Sequence, residues 1–223
     1  MRELRVFYGG TFDPVHNGHL AIARAAHDAL AADIHMMPAA DPPHRAPPGA
    51  SAIDRAAMLQ LAIAGGPGLL LDRRELDRGG RSWSIETLHA LRAEFGSDAP
   101  IAWLVGVDSF VGLPTWKSWR ELFELAHFVV AERPGSSPDD ELAPELARIA
   151  AGRWIENADA LRRAPAGLLL RLNQPLHAHS ATDLRDRIAA GLSWRHLLPP
   201  AVADYIAAHD LYGRADGAAV IGP

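Results

Sequence analysis

Two histidines, His16 and His19, flank Asn17-Gly18 directly behind the run Gly9-Gly10-Thr11-Phe12-Asp13-Pro14-Val15. Imidazoles can hydrogen-bond anionic oxygens, and this spacing sets two side chains on neighbouring positions of one helical turn. Leu4, Val6, Phe7 and Tyr8 in front of the glycines form an apolar first strand, while Leu20-Ala21-Ile22-Ala23 opens a run of helix formers. Gly9 and Gly10 make a turn whose backbone can approach a ligand, and amides at the following helix start can point at an anion. The whole reads as a phosphate-handling loop. Familiar alternatives are excluded: there is no G-x-G-x-x-G, no H-E-x-x-H and no cysteine, and the sole lysine, Lys117, follows a tryptophan rather than a glycine. Taken alone, H-x-G-H also suits a polar helix start with two surface imidazoles; its place behind a strand and a glycine pair favours function.

A second loaded segment is Ser180-Ala181-Thr182-Asp183-Leu184-Arg185. Ser180 reads as a helix N-cap with Asp183 as its reciprocal partner. Arg185 fits less easily, because a cation in the first helical turn opposes the positive end of the helix dipole unless an anion sits between them. A triphosphate would be such an anion. Asp108, in Gly106-Val107-Asp108, reads equally well as a turn residue and N-cap ahead of Ser109. Trp116 and Trp119 flank Lys117 near a helix start, where aromatic side chains more often pack than recognise; Trp119 is assigned to the core.

The elements that must position these groups alternate. Candidate strands cover 4–8, 34–38, 69–72, 101–105, 127–131 and 167–172; helical patterns cover 18–31, 53–64, 85–95 and 182–190, with a closing helix over 200–211. Alternation of this kind predicts an α/β fold, a doubly wound, Rossmann-like parallel sheet with its ligand at the carboxyl ends of the strands. Each loaded segment follows a strand. The stretches 38–48 and 135–144 read as loops. A chain of 223 residues is expected to form one domain over 1–223, with a C-terminal helical segment over about 182–212 and mobile last residues.

Composition excludes more than it identifies. A formal net charge of −5 argues against a general nucleic-acid binder, so anionic substrates must be met by local groups. No apolar run approaches the ~20 residues of a membrane span. The first strand begins so early that no signal peptide is expected. Zero cysteines suit a reducing cytoplasm, the expected location, and a homo-oligomer is left open.

The glycine–histidine loop resembles the signature of the nucleotidyltransferase superfamily with the (H/T)xGH motif and, in its full form, that of the bacterial nicotinate-mononucleotide adenylyltransferases. Pro42-Pro43-His44-Arg45, residues 72–76 followed by Ser82-Trp83-Ser84, Gly106-Val107-Asp108, Pro114-Thr115-Trp116, Glu132-Arg133-Pro134-Gly135 and the Ser180–Arg185 segment occur in that family's order, to about Tyr212. The resemblance implies ATP and nicotinate mononucleotide as partners. Gly9, Gly10, Thr11, Phe12, His16 and His19 would hold the phosphates; Gly106 and Asp108 would lie near the nucleotide sugar and Arg133 near the adenine. Ser180, Thr182 and Arg185 would embrace the β- and γ-phosphates. His44 and Arg45 would meet the mononucleotide, with Trp83, Ser84 and Lys117 beside it and Trp116 over the pyridine ring. The family usually has an apolar residue where this chain has His179, and Ser-Tyr-Thr where it has Ser82-Trp83-Ser84.

Nothing in the pattern suggests a covalent enzyme intermediate, so the mononucleotide phosphate would attack the α-phosphorus of ATP in line, with His16, His19 and Arg185 as the catalytic groups. Mg²⁺ would travel with ATP, held by phosphates and water rather than by a protein metal site. The alternatives are a related adenylyl- or cytidylyltransferase with another phosphate acceptor, or a non-catalytic nucleotide sensor.

Overall fold

The computed structural model describes residues 2–42, 48–132, 142–173 and 180–213. His44, Arg45, Arg133 and His179, most of the stretch 135–144 and the final residues from 214 therefore lie outside the described residues. Strands β1 (Arg5–Gly10), β2 (Ile34–Pro38), β3 (Leu69–Leu71), β4 (Ile101–Gly106), β5 (His127–Glu132), β6 (Trp154–Ile155) and β7 (Leu169–Asn173) form one parallel sheet in the order β3-β2-β1-β4-β5-β7-β6. Chain direction along the sheet reverses between β1 and β4, which opens a crevice beyond their carboxyl ends.

Helices cover both faces, so alternate residues of each strand enter different cores. Val6 and Tyr8 of β1 and Ala102 and Leu104 of β4 pack beneath α1 (Asn17–Leu30), α2 (Ala52–Ile63), α8 (Ala181–Ala189) and α9 (Pro200–Ala208). Phe7, Ile101, Trp103 and Val105 point the other way, under α4 (Ser84–Phe95), α6 (Trp119–Leu125) and α7 (Pro144–Ala150). Two short helices, α3 (Arg74–Arg78) and α5 (Val107–Val111), complete the carboxyl edge. The expected closing helix is α9, which lays Val202, Ala203 and Ile206 into the same core as Met58 and Leu59 of α2, while Tyr205 donates to Asp54 at 2.9 Å.

Several local expectations are corrected. Gly9 and Gly10 make no turn; they remain in β1, paired with Met37 and Pro38 of β2. Their missing side chains make room within the protein, since a Cβ on Gly9 would lie 3.0 Å from the Trp103 ring and one on Gly10 2.9 Å from that of Phe12. Asp108 is not an N-cap: Gly106 caps α5 and Asp108 sits inside it. Trp116 is not at a helix start either, because it ends a 3-10 turn over Leu113–Thr115 with its N–H on the Leu113 carbonyl at 2.8 Å, and α6 begins later at Trp119. Trp119 is core, as expected, at 6% exposure.

One buried group makes the fold pH-sensitive. His127 is fully buried; its Nε2 faces the Leu161 and Ala164 carbonyls at 3.1 and 3.0 Å, and its Nδ1 accepts from the Leu168 N–H at 3.0 Å. That pattern suits the neutral ring, and burial holds its pKa below 6.5. Below pH 6.5 the unfolded chain therefore binds a proton that the folded chain refuses, so stability is retained above that value and lost as pH falls. Melting curves from pH 7.5 downward should show a loss approaching ~1.4 kcal/mol per pH unit from this residue, and His127→Gln should flatten the slope. Parallel slopes in the two proteins would rule out this assignment.

Candidate active site

A cleft of about 760 Å³ opens at the carboxyl ends of β1, β2 and β4. Its floor is the end of β1 with Thr11 and Phe12, ahead of a turn at Asp13 and Pro14. Phe12 adopts φ +49°, a costly conformation for a bulky residue, and so places a buried ring edge-on to His19 at 5.0 Å between centroids.

The histidine pair builds the start of α1. His16 lies one step outside the helix as its N-cap, where Nδ1 accepts from the Gly18 N–H at 3.1 Å; His19 returns the contact, its Nδ1 accepting from the His16 N–H at 3.3 Å. The rings lie 3.8 Å apart between centroids and are tilted by 30°. This is a capping box built from imidazoles. Because both Nδ1 atoms accept, the neutral rings carry their protons on Nε2.

At the far wall Ser180 caps α8, its hydroxyl accepting from the Asp183 N–H at 3.1 Å, while the Asp183 carboxylate pairs with Arg187 at 3.2 Å. Arg185 falls in the second helical turn rather than the first, where the dipole is already weak. Its Nη1 donates to the Asp13 carbonyl at 2.7 Å and lies 3.7 Å from the Asp13 carboxylate; its Nη2 donates to the Thr182 hydroxyl at 3.2 Å.

Asp13 and Arg55 are site-shaping residues that sequence reasoning missed. Arg55 is 1% exposed and donates to the carbonyls of Thr11 (2.7 Å), Ala40 (3.1 Å) and Ala50 (3.3 Å), gathering the chain after β1 and after β2 around one guanidinium. Burial lowers its pKa, and the charge of Asp13 opposes that shift. A signal existed: Arg55 shares the buried stripe of α2 with Met58, Leu59 and Ala62, an odd place for a cation without a task.

The opposite side carries the aromatic residues. Trp83 caps α4, and the Ser84 and Ile85 amides behind it have no partner among the described residues. Lys117 lies 5.2 Å over the Trp83 ring but 2.8 Å from the Glu86 carboxylate, which offsets its positive charge. The Ser82 hydroxyl accepts from the Ala40 N–H at 2.8 Å, tying this wall to the chain after β2. Glu75 also lines the cleft, its carboxylate accepting from Thr87 at 2.6 Å, and burial raises its pKa. At Gly106 a Cβ would meet only open space.

Of the residues expected to act, Gly9, Gly10, Thr11, Phe12, His16, His19, Gly106, Asp108, Ser180, Thr182 and Arg185 line this cleft, as do Trp83, Ser84, Trp116 and Lys117. His44, Arg45 and Arg133 are outside the described residues.

Residues 7–187 match the cytidylyltransferase-like family. The chain is 59% identical over 217 residues to a "probable nicotinate-nucleotide adenylyltransferase" of Stenotrophomonas maltophilia, covering 95% of this chain and 98% of that protein. A protein of the same name from Xylella fastidiosa is 50% identical, with 96% and 98% covered. The chain belongs to the nicotinate-nucleotide adenylyltransferase family. Among solved structures, Plasmodium falciparum nicotinic acid mononucleotide adenylyltransferase complexed with NaAD superposes with a TM-score of 0.70 at 15% identity, covering 94% of this chain and 97% of that one. At that identity the likeness establishes the nucleotidyltransferase fold that this adenylyltransferase-family chain adopts. No described helix is long and apolar enough to cross a membrane.

Proposed function

We infer that the chain transfers the adenylyl group of ATP to nicotinate mononucleotide, giving nicotinate adenine dinucleotide and pyrophosphate, a step of NAD biosynthesis. The observation that carries this reading is the convergence, in one cleft at the β1–β4 crevice, of the His16–His19 pair, the Ser180–Arg185 cap and the Trp83–Trp116 wall. Near full-length identity to proteins named for this reaction supports it.

An oxygen of the mononucleotide phosphate attacks the α-phosphorus; the bond to the β-bridging oxygen breaks, and pyrophosphate departs with the electron pair. Such transfers need alignment and charge stabilisation more than covalent help. The Nε2 donors of His16 and His19 contact the α- and β-phosphoryl oxygens, with the chain at Thr11 and Phe12 below them. Ser180, Thr182 and Arg185 hold the leaving pyrophosphate, and Gly106 leaves room for the nucleoside beside Asp108. Mg²⁺ would neutralise the phosphates when bound. The side chains proposed here for the phosphates are imidazole, hydroxyl and guanidinium groups, and no cluster of three His, Asp or Glu side chains arranged for a metal occurs among the described residues, so phosphate oxygens and water would hold the ion. Cytoplasmic location is part of the same proposal.

Pyrophosphate release that requires both ATP and nicotinate mononucleotide tests the reaction, and release without the mononucleotide or none at all would sink it. Within it, Arg185→Ala should weaken ATP binding roughly 10- to 100-fold, the range for charge-assisted hydrogen bonds, while sparing the mononucleotide. Calorimetry showing unchanged ATP affinity would remove Arg185 from the triphosphate.

A further inference from the structure

Asp13 is 4% exposed, and its carboxylate accepts from three neutral donors. Its Oδ1 accepts from the Tyr212 hydroxyl at 2.7 Å and the Ala50 N–H at 3.1 Å, and its Oδ2 from the Gly49 N–H at 2.7 Å. Arg185 Nη1 stands off Oδ2 at 3.7 Å, too far for a hydrogen bond. Tyr212 reaches this site from just beyond α9, with φ +63° and its ring against Gly49, where a Cβ would lie 3.1 Å from it.

We propose that Tyr212 is a positioning residue for Arg185: by occupying Asp13 Oδ1 it keeps that carboxylate from drawing the guanidinium out of the cleft. The inference rests on the assignment of Arg185 to the triphosphate. A carboxylate accepts up to about four hydrogen bonds, and a buried one left short of a donor takes the nearest mobile one. Arg55 is close, but its Nε, Nη1 and Nη2 each already donate to a carbonyl, of Ala50, Thr11 and Ala40, which fixes the guanidinium in place. Arg185 is the more exposed neighbour, its side chain 32% exposed against 1% for Arg55 as a whole. Among the described residues it donates to the Asp13 carbonyl and the Thr182 hydroxyl, which uses two of its five N–H groups, and its side chain lines the cleft. A shift of roughly 1 Å would convert the stand-off into a close, charge-assisted pair and withdraw those donors from ATP. Burial and the Asp13 charge push the Tyr212 phenol far up, so it stays a donor throughout the working pH range.

Tyr212→Phe keeps the ring and removes the hydroxyl. Calorimetric titration with Mg-ATP should show affinity reduced roughly five- to tenfold, the scale of one hydrogen bond, with mononucleotide affinity unchanged. In an Arg185→Ala background the same substitution should have no further effect on ATP, because the two act through one group. Melting curves on each variant set a temperature at which all are folded. Unchanged ATP affinity, an equal loss in the Arg185→Ala background, or a loss confined to the mononucleotide would overturn the proposal. Binding is the readout, so a chain that makes no dinucleotide yet shows this pattern would refute the proposed reaction and leave the role of Tyr212 standing.

Discussion

His16→Ala and His19→Ala should each lower kcat by about two to three orders of magnitude while leaving most of the protein folded. In the proposed reaction each imidazole would turn one Nε2 donor to oxygens whose charge shifts during transfer, and losing a single donor of this kind costs about 2.7–4 kcal/mol of barrier. The structural cost is separate and smaller. His16 also caps α1 through Nδ1, so its loss should cost about 0.5–2 kcal/mol of stability. His16→Asn separates the two roles, because an asparagine side chain can accept from the Gly18 N–H but has no second ring nitrogen to extend into the cleft. Stability near that of the parent with kcat still down about a hundredfold is the expected result. If His16→Asn or a His16→Ala/His19→Ala double variant turned over at near-parental rates, the pair would be a helix cap and nothing more.

The second large effect concerns the acceptor. Nicotinate mononucleotide should exceed its amide counterpart in kcat/KM on the order of a hundredfold. The donors responsible differ in part from those the sequence suggested. The Trp116 N–H is taken by Leu113, and Lys117 is paired with Glu86, so neither supplies an unopposed backbone donor or charge. What remains is the start of α4, a full-length helix whose Ser84 and Ile85 amides have no partner among the described residues and whose first turn lies beside Trp83. A carboxylate can accept from two such donors at once. A carboxamide must turn its NH₂ toward one of them, leaving a buried mismatch of roughly 1–3 kcal/mol and losing the charge-assisted contact. Backbone donors survive the replacement of Tyr-Thr by Trp83-Ser84. Equal kcat/KM values at saturating ATP and magnesium would falsify this acceptor wall without touching adenylyl transfer.

The fold was legible where periodicity was long or strongly apolar. Strand β2 occupies the expected 34–38, and the four long helical patterns fall within a residue or so of α1, α2, α4 and α8. What escaped was short or locally ambiguous. Strand β6 has two residues, α3 and α5 have five each, and α7 begins at Pro144, the last residue of the stretch 135–144 that reads as loop, although proline is well suited to a first helical turn. The glycine pair has protein neighbours that the sequence did not suggest. Gly9 and Gly10 suggested room for a ligand, but no local pattern could reveal that Trp103, far along the chain, and Phe12 fill that space.

The site divides in the same way. His16, His19, Ser180 and Arg185 announce themselves through side-chain type and spacing, and all line the cleft. The support beneath them does not. Asp13 meets Tyr212 across 199 positions and Arg185 across 172, and neither contact leaves a trace in local sequence. Arg55 was the exception, a cation on an apolar stripe, readable from α2 alone.

Incubation with ATP radiolabelled in its α-phosphate and an equimolar mixture of nicotinate mononucleotide, phosphopantetheine and glycerol 3-phosphate tests the proposed reaction most directly. The expected outcome is a single labelled product, nicotinate adenine dinucleotide, formed one-to-one with unlabelled pyrophosphate. Label in a phosphopantetheine or glycerol product, or in AMP without any dinucleotide, would contradict it.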